Sequence, residues 1–247
     1  MNVLGIDIGG SGIKGALVDV DRGRLVADRV RVPTPAPSTP GAVGDAVREL
    51  VRGLGWKGAI GCTFPAVIHA GVAQTAANVD RSWIGTNVET VLSKKTGRRV
   101  RVLNDADAAG LAEARFGAAR RARGTVLLLT LGTGIGSAML VDGRLVPNTE
   151  FGHLEIHGTK AENFASDRTR KDEDLSWKKW AARLDEYLGH LELLFSPDLF
   201  ILGGGVSRKH ENFLHLLHTK APIVPARLRN EAGIIGAALA ARRRAAR

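Results

Sequence analysis

Residues 5–19 read GIDIGGSGIKGALVD, and residues 130–143 read TLGTGIGSAMLVDG. Each sets an apolar run ahead of a turn of the form Gly-Ser/Thr-Gly-Ile and follows it with a second apolar run that ends in Val-Asp. Short apolar runs broken by glycine read as strands rather than helices, so each stretch predicts a hairpin. A chain that builds the same hairpin twice is expected to fold as two related subdomains facing one another. One phosphate chain held by both would use both turns.

The segments around the hairpins predict the rest. RLVADRVRVPTPAP (24–37) alternates as a third strand before a Pro-rich connection. Thr39 and Gly41 precede a helix from about Val43 to Leu54, and GAIGCTFPA (58–66) reads as a buried strand. A further strand ends at Leu103, and a helix starts around Asp105. Between Trp177 and Phe195, the residues Trp177, Trp180, Ala181, Leu184, Leu188, Leu191 and Leu194 recur at helical spacing and predict one buried stripe. LFIL (199–202) is a strand, Gly203, Gly204 and Gly205 make a third glycine turn, and EAGIIGAALAA (231–241) closes as a small-residue helix ahead of a basic tail. Strands alternating with helices indicate an α/β fold with a largely parallel core sheet.

The chain has 247 residues, 44% apolar and 24% charged, which is ordinary for a soluble enzyme. No stretch approaches the roughly 18 uncharged apolar residues of a membrane span. The start, MNVLGIDIGG, lacks the basic and long apolar regions of a signal peptide, so a cytoplasmic protein without membrane partners is expected. The single cysteine, Cys62, reads as a small buried hydrophobe in AIGCTFPAV. The 35 Lys and Arg outnumber the 25 Asp and Glu, for a net charge of +10. Such an excess attracts a polyanion. Aromatics are only 5% and are not interleaved with the basic clusters, so a flexible anion without bases suits the surface as well as nucleic acid does, and on charge alone an Arg-rich composition that only solvates the surface is an equal alternative.

Gly10, Gly12 and Gly15 match G-x-G-x-x-G in form, but ALVDVD follows where a dinucleotide fold needs a helix. The chain has no G-x-x-x-x-G-K-[ST], no H-R-D and no D-F-G. What remains is an anion-binding hairpin, in which glycines allow positive φ and close approach while backbone N–H groups and Ser11 or Thr133 point at phosphate oxygens. A tight hairpin without ligand is the alternative for either turn alone; two matching turns favour the anion.

Asn104 and Asp105 stand where a strand meets a helix, the usual ligand-binding end of an α/β sheet. Either could serve as an N-cap, or the pair could grip vicinal hydroxyls while the aspartate accepts a proton. NTEFGHLEIHGTKAENFAS (148–166) adds Glu150, His153, Glu155 and Glu162 in a glycine-broken loop, the mixture of acceptors and donors that sugar hydroxyls require. A metal site is the rival reading, but the spacing is not H-E-x-x-H and no cysteines assist.

IDIGGSGIKGA, LNDADAA, LTLGTGIGSAMLVDGRLVPNTEFGH and LGGGVS together resemble the successive motifs of the ROK family of sugar kinases over nearly the whole chain. GCTFPAV, TAANVDRSWIGT, VPNTEFGHLE, LSWKKWA and SPDLFILGGGVSRK resemble its polyphosphate-using glucokinase branch, glucomannokinases included. The resemblance implies an actin-like, ribonuclease-H-like α/β fold of two subdomains around a cleft that holds the sugar. It implies a first domain of 1–103, a second of 104–231, and a closing helix of about 232–247 packed back on the first. It further implies a homodimer that transfers the terminal phosphoryl group of inorganic polyphosphate, or of ATP, to the 6-hydroxyl of glucose.

Carried over by position, Asp105 matches the general base, and Asn104, Glu150 and His153 match the sugar contacts. Glu162 matches the glutamate that follows the family's zinc cysteines, and Asn78 matches the loop that closes over the sugar. Asp7, Gly9, Gly10, Ser11, Gly12 and Lys14 fall in the first phosphate segment, with Mg²⁺ near Asp7. Gly132, Thr133 and Gly134 fall in the second, and Gly203, Gly204 and Gly205 in the turn on the nucleoside side. Many relatives carry a C-x-C-G-x-x-G-C zinc loop after the histidine, but here only LEIHGTKA (154–161) intervenes, so zinc is not expected. Lys14, Arg168, Arg170, Lys171, Arg208 and Lys209 are the candidates for a basic donor track. The alternatives are a strictly ATP-dependent glucokinase or mannokinase, and a non-catalytic sugar-binding regulator. A regulator of this family would need a DNA-binding segment ahead of motifs that here begin at residue five, and a bare sensor would lose the base or the turns.

Overall fold

In a computed structural model, residues 1–76 and 78–242 are described. They form two compact units, Met1–Ala112 with the segment from Glu231 onward, and Glu113–Asn230.

In the first unit, β1 (Asn2–Gly9) and β2 (Gly12–Asp19) pair antiparallel out to Gly9↔Gly12, which leaves Gly10 and Ser11 alone in the turn. The expected third strand is broken into β3 (Arg24–Leu25) and β4 (Val30–Val32), both paired with β2. Residues 26–29 there face only Ala16 and Leu17 across the pair, so the chain bulges between two in-register segments. The first helix, α1 (Pro40–Gly53), starts earlier than its apolar stripe suggests, because Thr39 Oγ1 accepts from Ala42 N and Pro40 suits a first helical position. The strand β5 (Ile60–Phe64) lies parallel to β1 and is buried throughout. A small hairpin of β6 (Ile68–His69) and β7 (Val72–Ala73) and the helix α2 (Val88–Thr96) lead to β8 (Val100–Asn104), parallel to β5. The helix α3 (Asp105–Phe116) follows without a gap.

The helix Ala232–Ala241 closes the first unit, and its small residues are explained by what it lies on. A Cβ on Gly5 would collide with the Ile234 carbonyl, one on Gly61 with that of Ala237, and one on Gly236 with that of Ala108. Backbone thus lies on backbone, which only glycine allows. That last contact also ties the start of α3 to this unit, so the division falls inside the helix rather than ahead of it. Positions 243–247, which hold the rest of the expected closing helix and its basic tail, lie outside the described residues.

The second unit repeats the plan. Its hairpin is β9 (Thr125–Leu131) with β10 (Ile135–Val141), continued by β11 (Arg144–Val146). A two-stranded ribbon of β12 (Glu155–Ile156) and β13 (Thr159–Lys160) precedes α4 (Ala161–Ala165), α5 (Asp167–Asp172) and the long α6 (Trp177–Phe195). β14 (Leu199–Gly203) then runs parallel to β9, and β15 (Ile223–Pro225) parallel to β14. The order β10-β9-β14-β15 matches β2-β1-β5-β8 of the first unit, an antiparallel hairpin followed by two parallel strands. The buried stripe of α6 is Trp180, Ala181, Leu184, Tyr187, Leu188 and Leu191. Leu194, expected in that stripe, is 59% exposed. The last turn is held instead by Phe195, whose ring packs 4.6 Å from that of Phe151. No helix among the described residues is long and apolar enough to cross a membrane.

Candidate active site

In the first unit the expected phosphate residues gather around one turn. Asp7, on β1, accepts a hydrogen bond from Thr63 Oγ1 at 2.9 Å and pairs with Lys14 Nζ at 3.5 Å. Thr63, fully buried on β5, also accepts from the Ile8 N–H. The carboxylate of Asp7 is therefore fixed from two sides. A Cβ on Gly233, in the first turn of the closing helix, would stand 3.7 Å from it, so the positive end of that helix also favours the charge.

Left-handed backbone does not account for the glycines of this turn; neither they nor Gly132 and Gly134 are among the glycines with positive φ. A Cβ on Gly12 would meet Arg31 Nε at 2.7 Å, and one on Gly10 would meet the Asn78 carbonyl at 3.2 Å. Asn78 is thus brought to the turn. Its loop is pinned further along, where Asp80 N donates to Ser38 Oγ and Trp83 Nε1 donates to the Ser38 carbonyl. Thr34 Oγ1 donates to the Gly9 carbonyl at 2.5 Å, and Arg31 Nη2 donates to that of Ser11 at 3.0 Å.

Asn104 and Asp105 sit at the strand-to-helix junction in different roles. Asn104 is buried, and its Oδ1 accepts from Ala106 N at 2.7 Å and Asp107 N at 3.2 Å, while Nδ2 donates to the Ala66 carbonyl at 3.2 Å. That is a full N-cap, and one amide hydrogen remains for a ligand. Asp105 is exposed, with Oδ1 also accepting from Ala106 N at 2.9 Å.

In the second unit Glu150, His153 and Glu162 come together. Ser137 on β10 is buried, donates to the Thr149 carbonyl and accepts from Phe151 N, which fixes the loop that carries Glu150. Gly152 lets this loop lie on the strand, since a Cβ there would collide with the Ile135 carbonyl. His153 Nε2 stands 3.5 Å from Glu162 Oε1. Burial raises the carboxyl pKa of Glu150 above its ordinary range; His153 and Lys160 oppose the shift and Glu162 adds to it. Glu162 lies in the first turn of α4, and a Cβ on Gly134 would strike its Oε2, so the second glycine turn and the carboxylates share one place.

The second and third turns are neighbours, at the ends of parallel strands. Gly203 pairs with Thr130, and Gly204, at φ +80°, lies so close to the backbone of Leu131 that a Cβ would clash. Gly132 and Gly205 are open, with nothing within 4 Å of a Cβ built on either. Arg168 N donates to the Gly132 carbonyl at 3.0 Å.

Of the expected basic track, Arg170 is spent on structure. It bonds Asp167 at 3.0 Å and lies 4.2 Å over the Trp177 ring. Lys171 pairs with the same aspartate at 2.6 Å. Sequence reasoning missed Arg31, Thr34, Thr63 and Ser137. Each acts on a residue of another segment, 12 to 56 residues away, which local pattern does not reveal. Among the described residues, no group of three or more His, Cys, Asp or Glu side chains is arranged to hold a metal ion.

Comparison with known proteins bears on this geometry. The sequence model of the ROK family matches residues 3–173. A polyphosphate glucokinase of Mycobacterium tuberculosis is 52% identical over 96% of this chain and 89% of its own length. The crystal structure of an inorganic polyphosphate/ATP-glucomannokinase from Arthrobacter sp. strain KM superposes with a TM-score of 0.92, at 52% identity, covering 96% of this chain and 97% of the other. A ROK family glucokinase from Streptomyces griseus, in complex with glucose and AMPPNP, reaches a TM-score of 0.82 at 26% identity, covering 98% and 99%.

Proposed function

The chain belongs to the ROK family, with its actin-like α/β fold, and from that premise we propose that it is a polyphosphate-dependent glucokinase, a phosphotransferase with a sugar hydroxyl as acceptor. The observation that carries this reading is 52% identity to a polyphosphate glucokinase over 96% of the chain. Beside it, each unit holds residue types that the chemistry needs: Asp7, Lys14, Asn104 and Asp105 in the first, and Glu150, His153 and Glu162 in the second.

In this reading Asp105 takes the proton of the 6-hydroxyl as that oxygen attacks the terminal phosphorus of the donor, whose bond to the bridging oxygen breaks and releases the chain one phosphate shorter. The exposed carboxylate at a helix start is accessible to a substrate, and the cap does not depend on it, because Asn104 already binds both N–H groups. Glu150, His153 and Glu162 hold the other hydroxyls with directional bonds, and the remaining amide hydrogen of Asn104 adds one donor. Asn78 closes over the sugar and excludes water, which would otherwise compete as acceptor. Backbone N–H groups of the glycine turns and Lys14 meet the charge that gathers on the transferred phosphoryl group.

Magnesium, which phosphoryl transfer of this kind typically uses, fits Asp7. The side chain offers one hard oxygen donor, 25% exposed and oriented by Thr63, at the phosphate turn. When bound, the ion would offset charge on the phosphates; the residues alone set its place. ATP as a second donor is favoured by the third turn, which stays open at Gly205. A cytoplasmic homodimer is part of the same reading.

The test is formation of glucose 6-phosphate from purified polyphosphate, with nucleotide removed enzymatically, beside ATP. Product from polyphosphate alone is expected. Product only with ATP would make the chain an ATP-dependent glucokinase, and none with either would leave a sugar-binding regulator.

A further inference from the structure

We propose that Arg31 is a donor-binding residue, which with Lys14 grips the phosphates of the polyanion at the first glycine turn. The inference rests on the functional reading above and adds a residue and a mechanism of selection to it.

Three neighbouring strands place Asp7, Lys14 and Arg31 in one row, by the registers Asp7↔Lys14 and Lys14↔Arg31. Residues directly opposite on paired strands share a face. Two cations therefore stand side by side with one carboxylate, and Lys14 already reaches it, at 3.5 Å. Like charges directly opposite oppose strand pairing, so the arrangement calls for a further anion. Among the described residues Arg31 forms no ion pair. One guanidinium nitrogen, Nη2, holds the Ser11 carbonyl at 3.0 Å, and Nε lies against Gly12. The exposed guanidinium thus lies along the turn proposed to take phosphate, with further N–H donors available. Its planar fork suits phosphate oxygens. A donor made only of phosphate groups gains from every such cation, because no base or sugar is there to be recognised.

The competing role is structural: the arginine could serve only to hold the Ser11 carbonyl. Arg31→Gln keeps a donor for that carbonyl and removes the charge, and Arg31→Lys keeps the charge without the fork. The measurements are the KM for polyphosphate between low and moderate KCl, the KM for glucose, and the melting temperature. Arg31→Gln is expected to raise the polyphosphate KM about tenfold and to lower the slope of log KM against log salt by about one. The glucose KM and melting temperature should hold, and Arg31→Lys should recover most of the loss. An unchanged polyphosphate KM and salt slope in Arg31→Gln, or an equal loss in both variants with a lowered melting temperature, would overturn the proposal. If the unaltered protein transfers nothing from polyphosphate, the functional reading fails, and calorimetry with tripolyphosphate decides on Arg31 separately. Weaker binding by Arg31→Gln would uphold the site, and equal binding would overturn it.

Discussion

Replacing Asp105 with asparagine isolates the proposed base, because the structure separates its chemistry from its structural duty. The helix start is capped by Asn104, whose Oδ1 holds Ala106 N at 2.7 Å and Asp107 N at 3.2 Å. Asp105 adds a third contact, 2.9 Å from Ala106 N, which the Oδ1 of an asparagine can still make. The substitution removes a negative charge in the first turn, whose interaction with the helix dipole is worth about 0.3–1 kcal/mol. In a chain of this size that is a fall in melting temperature of no more than about 4 °C. Turnover should fall far more, by roughly 10²- to 10⁴-fold, or about 2.7–5.5 kcal/mol of transition-state stabilisation. The sugar KM should stay close to its original value. Steady-state rates with glucose and polyphosphate, taken beside a thermal melt, decide the matter. Turnover within tenfold of the unaltered protein would remove Asp105 from the role, and a collapse of the melt would show that the residue holds the fold after all. Asn104→Ala is the opposite control: it strips the Asp107 N–H, leaves the Ala106 N–H to Asp105 alone, and should cost about 1 kcal/mol of stability.

Two further outcomes follow from the geometry. Burial raises the pKa of Glu150, so the folded state holds its proton more tightly than the unfolded chain, and stability falls as pH rises from the ordinary value of 4.5 through the raised one. Glu150→Gln should therefore melt higher than the unaltered protein at pH 7, lose that advantage below pH 4.5, and bind glucose more weakly; equal melts at both pH values would refute the cause assigned to the shift. Gly61→Ala would drive a Cβ into the Ala237 carbonyl, so the closing helix must lift from the sheet at a cost of about 1–3 kcal/mol or more, read by chemical denaturation; an unchanged midpoint would mean that the helix does not rest there.

Local pattern carried most of the fold. The two hairpins, the helix Trp177–Phe195 and the strand-to-helix step at Asp105 follow from periods of two and of 3.6 residues, which a reader can count. The gathering of Glu150, His153 and Glu162 was legible because they lie close together in sequence. Arg31, Thr34 and Thr63 were not, because each acts on β1 or its turn from 20 or more residues away, and only strand pairing decides which residues meet. The reason for the glycines was legible only in half. Gly12 and Gly134 face the movable ends of Arg31 and Glu162, Gly10 faces the Asn78 backbone, and left-handed backbone is needed at Gly204 alone among the turn glycines expected to bind phosphate.

The repeat also differs in chemistry from one unit to the other. The first turn contains only Gly10 and Ser11 and has Lys14 and Arg31 beside it with the single carboxylate of Asp7, a setting of net positive charge suited to phosphate. The second spans Gly132 to Gly134 and has the Glu162 carboxylate against its last glycine, which would repel phosphate and suits a hydroxyl. Only its other edge, open at Gly132 with Arg168 N bonded to the carbonyl there, is free of that carboxylate. On the proposed assignment the second turn therefore serves the donor with Gly132 and Thr133 and makes room for the sugar's glutamate with Gly134. One topology, built twice, has then been kept for two tasks, and the charges next to each turn decide which task it performs.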